Sequence, residues 1–223
     1  MNNKLFYKIS VLALSLVLIA CSGGTAEEAG CPEINDRQIN VVATTPMIGE
    51  FVSQVGGDNI SLTVLMPPEA DPHTYDPAPQ DAGKIADADL VFYTGLKYEP
   101  AALIKLLENS ACGAEVLAEV GENVYPIEFK EGGHDDHHDD HDEEGHDDEE
   151  GHDDEEGHDD HDDHAGHDHG VYDPHFWFDP NRVAYAAEYI ESKLTEFDPS
   201  NADDYGTSTD AFVSELNDLS RRV

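Results

Sequence analysis

Forty consecutive residues, 131–170, can take no part in a hydrophobic core, and they limit every fold this chain could adopt. They hold 21 of the chain's 50 acidic residues, 11 of its 13 histidines and no lysine or arginine. A six-residue unit, Gly-His-Asp-Asp-Glu-Glu, starts at Gly145 and again at Gly151, and begins once more at Gly157. With so little apolar surface the tract cannot offset the entropy lost on ordering, so it is expected to be disordered without a bound cation. A core must therefore be built from what lies on either side.

The tract also explains most of the formal charge of −39. Outside it, 29 acids (50 less 21) face 11 lysines and arginines, an acidic but ordinary surface. Such a field attracts cations and repels polyanions. Nucleic-acid binding is not expected.

From residue 39 onward, short β-rich runs alternate with helical segments. Ile39–Ala43 reads as a buried strand, and Thr45 with Pro46 opens a helix to about residue 55, stopped at Gly56-Gly57-Asp58. A second strand is expected over 60–65, a loop over 66–78 and a helix over 79–86. A third strand follows over 90–93, a helix over 100–109 and a fourth strand over 115–118. Strands separated by helices imply an α/β fold: a parallel sheet flanked by helices, with ligand loops beyond the carboxyl ends of the strands. Beyond the tract, Asp179 and Pro180 open a helix to about residue 197, and Asp198 with Pro199 repeats the device. Ala202, Tyr205, Thr209, Phe212, Leu216, Leu219 and Val223 then form one apolar stripe on a long final helix. That stripe has no stop signal after it, and more protein is expected to follow.

The N-terminus reads as an export signal. Lys4 and Lys8 precede an apolar run over 9–20 that is too short for a stable membrane span and fits a signal-peptide core. The sequence Leu18-Ile19-Ala20-Cys21 resembles the bacterial lipobox, which implies lipidation of Cys21 after removal of residues 1–20. Residues 21–38 would then be a tether, and the lipid the only membrane attachment. Outside the cytoplasm Cys31 and Cys112 could pair or remain two free thiols; the sequence leaves both open.

The histidines carry the chemistry. His134, His137, His138, His141, His146, His152, His158, His161, His164, His167 and His169 are spread through the acidic tract. Imidazole suits zinc, copper and nickel, and no scaffold fixes the geometry here, so weak auxiliary binding of several borderline ions is expected. His73 and His175 are the sharper signal. They sit in Asp71-Pro72-His73-Thr74-Tyr75-Asp76-Pro77 and Asp173-Pro174-His175-Phe176-Trp177-Phe178-Asp179-Pro180. In both, proline stiffens the loop, and Asp71 or Asp173 stands where it could orient the imidazole of a metal ligand. Ligands must be deprotonated, so binding should weaken as pH drops through the histidine range.

These paired motifs, the tract between them, the lipobox before them and the run from Ala86 to Leu96 resemble the metal-specific solute-binding proteins of bacterial ABC importers, in particular their zinc-binding branch. The resemblance implies two lobes joined by a long helix, with the ion in the cleft between them. Residues 39–198 would be the first lobe and 199–223 the start of the connecting helix, with the second lobe absent. His73 and His175 would be first-lobe ligands, and a third histidine and an acidic ligand would lie beyond Val223. The implied protein is a binding protein and not an enzyme. It would be a monomer, lipid-anchored at the cell surface or in the periplasm, delivering Zn2+, with Mn2+ the less favoured cargo, to an ABC permease. A surface metal buffer or adhesin is the main alternative. A secreted zinc hydrolase is a weaker one, because no helix-borne His-Glu-x-x-His is present.

Overall fold

A computed structural model of the chain describes residues 31, 34, 37–129 and 170–222. The signal segment, Cys21 and the eleven tract histidines lie outside the described residues. The chain divides into Met1–Glu33, of which Cys31 alone is described, and Ile34–Val223, which carries the fold. Cys31 and Cys112 are both disulfide-bonded.

Four parallel strands form the sheet: β1 (Ile39–Ala43), β2 (Ile60–Val64), β3 (Leu90–Tyr93) and β4 (Leu117–Glu119), in the order β2-β1-β3-β4. Val41 pairs with Leu62 on one side and Leu90 on the other. The chain thus builds outward from β1 in one direction and then the other. The carboxyl ends of β1 and β3 meet where that direction reverses, a place where open α/β sheets hold ligands.

Parallel strands need cover on both faces. Helices α1 (Pro46–Gly56), α4 (Pro180–Phe197) and α5 (Ala202–Ser220) pack together on one side. There Ile48, Val52, Ala186, Ile190, Leu194 and Tyr205 join Val41, Leu90 and Phe92 in one buried cluster. Helices α2 (Pro79–Ala86) and α3 (Ala101–Ser110) pack against each other and bury Ile85, Leu103 and Leu107. The expected α/β architecture is present.

The helix starts follow their local chemistry. Thr45 Oγ1 accepts the Ile48 N–H at 3.3 Å, and Asp179 Oδ1 accepts that of Asn181 at 2.9 Å, each just before a first-turn proline. Asp198 departs from that pattern. Its carboxylate accepts from the Tyr205 hydroxyl at 2.8 Å and from Asn201 Nδ2 at 2.6 Å, and it caps nothing. Pro199–Asn201 is consequently a 3-10 turn, and α5 begins only at Ala202. The fourth strand also starts later than expected, because Ala114–Val116 is a 3-10 turn. Along α5, Tyr205 and Thr209 are buried, whereas Leu219 is 43% exposed.

A small feature had no sequence signal. β5 (Ile127–Glu128) and β6 (Tyr172–Asp173) pair antiparallel, with Ile127 opposite Asp173. This fixes the backbone two residues before His175. Among the described residues no helix is long and apolar enough to cross a membrane.

Candidate metal centre

His73 lies in the loop after β2, and His175 lies between β6 and the 3-10 turn Phe176–Phe178. Although 102 positions apart in sequence (175 less 73), their rings stand 6.1 Å apart between centroids, inclined at 61°. Two imidazoles on one tetrahedral zinc would have centroids roughly 5 Å apart, given Zn–N bonds of about 2.0–2.1 Å. The pair is therefore about 1 Å too open for that geometry, a gap that small side-chain rotations close.

The two loops use one local device. Asp71 Oδ1 accepts the His73 N–H at 3.0 Å, and Asp173 Oδ1 accepts the His175 N–H at 2.9 Å. Each is the two-residue side-chain turn that aspartate favours before a proline. Asp173 does more: its Oδ1 also lies 2.7 Å from His175 Nδ1. With Nδ1–H donated to the carboxylate, the ring is oriented and Nε2 is left as the donor toward an ion. The His175 side chain is 34% exposed, enough for an ion to reach it.

A wall of aromatic rings backs the pair. Tyr98 meets His73 edge to face at 4.9 Å and His175 at 5.7 Å, and Trp177 lies 5.1 Å from Tyr98 and 5.2 Å from His175. Burial, then the charges of Glu99 and Asp71, push the Tyr98 phenol up to about 12. It therefore stands beside the imidazoles as a neutral ring. A cavity of about 720 Å3 opens beside His73 and Tyr98, bordered also by Leu96, Ile104, Lys105 and Glu119. It is far larger than an ion and borders His73 but not His175.

Two buried carboxylates hold the surrounding loops. Asp81, in the first turn of α2, accepts from Ala78 N at 2.9 Å, the Tyr75 hydroxyl at 3.0 Å and Lys84 Nζ at 2.8 Å. Tyr75 is two residues from His73, so Asp81 closes the loop that carries this imidazole. Burial pushes the Asp81 carboxyl up, but the bonds from Lys84, Ala78 and Tyr75 outweigh it and its pKa is lowered. Glu99 accepts from Thr44 Oγ1 and Thr94 N, each at 2.7 Å, and from Gly95 N at 2.9 Å. No cation is among these partners, and burial raises its pKa.

His73 and His175 are thus brought together, with Asp173 on the imidazole and Asp71 on the backbone of its loop. Among the described residues no group of three or more His, Cys, Asp or Glu is placed to hold an ion. Two imidazoles alone would supply half of a tetrahedral shell. Tyr98, Trp177, Asp81 and Glu99 were not foreseen as parts of the site. The available signal was Tyr98, in the loop after β3, and Trp177, two residues after His175 in the second Asp-Pro-His motif.

Comparison with known proteins gives the family and the fold. The family model described as zinc-uptake complex component A, periplasmic, matches residues 41–223. A metal ABC transporter substrate-binding lipoprotein of Lactococcus lactis subsp. lactis is 28% identical over 226 aligned residues, covering 95% of this chain and 56% of the relative. The manganese ABC transporter substrate-binding lipoprotein PsaA of Streptococcus mitis is 38% identical over 104 residues, covering 45% of this chain and 32% of that protein. The chain thus spans from about a third to just over half of these relatives' length. Among solved structures, ZnuA superposes with a TM-score of 0.59 at 25% identity, covering 81% of this chain and 55% of ZnuA. The periplasmic zinc-binding protein TroA of Treponema pallidum gives 0.61 at 20% identity, covering 83% and 53%, a likeness of fold. The two lipoproteins are named as substrate-binding components of ABC transporters.

Proposed function

Because this chain belongs to the zinc-uptake complex component A family, metal-binding solute-binding proteins of ABC transporters, we propose that it captures zinc outside the cytoplasm and presents it to an importer's permease. The observation that carries this reading is the convergence of His73 and His175 to 6.1 Å. Convergence of two separated Asp-Pro-His loops has no evident structural purpose, since both rings remain partly exposed and neither fills the core.

Zinc is favoured over manganese by the donor set. Imidazole suits zinc, whereas manganese prefers oxygen-rich shells, and the two candidate ligands among the described residues are imidazoles. Water or a donor outside the described residues would complete the shell. The tract histidines, from His134 to His169, would gather ions loosely and raise their concentration near the pair. Lipidation at Cys21 would hold the monomer at the membrane, close to the permease.

Isothermal titration separates the two kinds of site. The strongest zinc event should survive deletion of 131–170 and disappear in the His73→Ala, His175→Ala double variant, with the weak events behaving oppositely. If the strongest event goes with the tract instead, the paired loops are not the site. A manganese titration on the same protein should give the weaker binding; the reverse order would move the cargo to manganese.

A further inference from the structure

The loop that carries Tyr98 has an unusual backbone. Gly95, Leu96 and Lys97 all have positive φ, at 76°, 52° and 63°. Glycine adopts this region freely, and at Gly95 a Cβ would lie 1.9 Å from a Glu119 carboxylate oxygen, so a larger residue would have to displace that side chain and its bond to Leu96 N. Leucine and lysine enter the region only against a steric penalty. Such a turn persists when its surroundings over-determine it.

Glu99 supplies that constraint. Its carboxylate takes the N–H groups of Thr94 and Gly95 at the entry of the turn, and the Thr44 hydroxyl from the end of β1. The Tyr98 N–H closes the turn on Gly95 O at 2.9 Å, and the Leu96 N–H goes to Glu119 Oε1 at 2.9 Å. On the other side Pro100 follows, which biases Glu99 itself toward an extended backbone and starts α3. Glu99 is only 5% exposed, and it is turned into the fold and away from solvent. Tyr98, its neighbour, points the other way, against both imidazoles and Trp177.

Resting on the zinc-site reading above, we propose that Glu99 is a positioning residue. It binds no ion; it clamps the left-handed turn 95–97 so that Tyr98 sets the separation of His73 and His175. An acidic residue beside a metal centre is ordinarily read as a ligand. Here the carboxylate is occupied by three donors of the fold, and the effect reaches the ion through an aromatic ring.

A double-mutant cycle tests this on the full chain. Trp177 is the chain's one tryptophan and touches both Tyr98 and His175, so its emission reports zinc at this pair, and the same titration after deletion of 131–170 removes any contribution of the tract. Glu99→Gln keeps the shape and one acceptor oxygen but sets an amide N–H against a backbone donor. It should weaken zinc binding read by Trp177 by about tenfold, the scale for residues that orient ligands. In a Tyr98→Leu background the same change should cost less than about twofold, because the route through the ring is gone. An equal loss in both backgrounds, or none in either, overturns the proposal. The melting temperature should drop with Glu99→Gln in both backgrounds, which separates the structural effect from the positioning effect. If Glu99→Gln does not fold, Thr44→Val removes one of the three donors and carries the same cycle. His73→Ala serves as the control for the underlying reading. If zinc still changes Trp177 emission in that variant, the site reading fails whatever the cycle gives.

Discussion

Asp81 and Glu99 do the same task by opposite electrostatics. Both are buried carboxylates that close a loop beside the imidazole pair, and each accepts three hydrogen bonds. Asp81 has the Lys84 ammonium among its donors, and its pKa is lowered. Glu99 has only hydroxyl and amide donors, and burial raises its pKa. A cation compensates the desolvation of one; neutral dipoles hold the other at some residual cost. The His73 loop should therefore be the cheaper one to keep closed at neutral pH, and the Tyr98 turn the strained one.

The largest effect expected from this contrast is that of Glu99→Ala. It strands two buried N–H groups and a hydroxyl, so urea unfolding should show a loss of at least about 3 kcal/mol, at about 1–3 kcal/mol for each orphaned group. A loss under about 1 kcal/mol would mean the turn holds itself. Asp81→Asn keeps an acceptor for Ala78 and loses the lysine partner, so about 1–2 kcal/mol is expected. A larger loss than at Glu99 would invert the comparison.

The pH profiles should diverge as well. Asp81 has a folded pKa below its ordinary 3.8, so its contribution is full above that value and is lost as pH falls through the depressed one. Glu99 is the reverse. Its folded pKa lies above its ordinary 4.5, so the fold binds the extra proton and loses stability as pH rises through that window. Unfolding free energies measured across pH should lose the acid-side slope in Asp81→Asn and the opposite slope in Glu99→Gln. Unchanged profiles in both would remove the electrostatic distinction.

Smaller effects belong to the ligand loops and the turn. Asp173→Ala frees the His175 imidazole and should weaken zinc binding about tenfold. Asp71→Ala, where the aspartate accepts the backbone N–H of His73, should cost less; equal losses would mean the two loops are functionally alike. In the turn, Gly95→Ala sets a Cβ at a φ of 76° and against the Glu119 side chain, and urea unfolding should show a loss of about 1–2 kcal/mol.

Much of the architecture was legible because it is locally encoded. Strands β1 and β3 and helix α2 run as their periodicity and flanking breakers indicate, and Thr45 and Asp179 cap as their positions before proline suggest. Asp198 misled because an identical Asp-Pro sequence was outbid by a tertiary partner, the Tyr205 hydroxyl seven residues on. The β5–β6 pair was invisible because two-residue strands have no period. In the site, the matched motifs singled out both histidines, but their convergence depends on sheet order, which no local pattern states. Glu99 was illegible for the same reason. Its role comes from Thr44, 55 positions earlier.

The central claim is that His73 and His175 hold one ion together. Long-range proton–nitrogen NMR of the imidazoles, assigned through the single alanine variants, would follow each ring as zinc is added. With the first equivalent, the Nε2 signal of His175 and a ring nitrogen of His73 should move together, before any tract histidine. If the tract histidines move first and these two stay still, the ion is held elsewhere and the account is wrong.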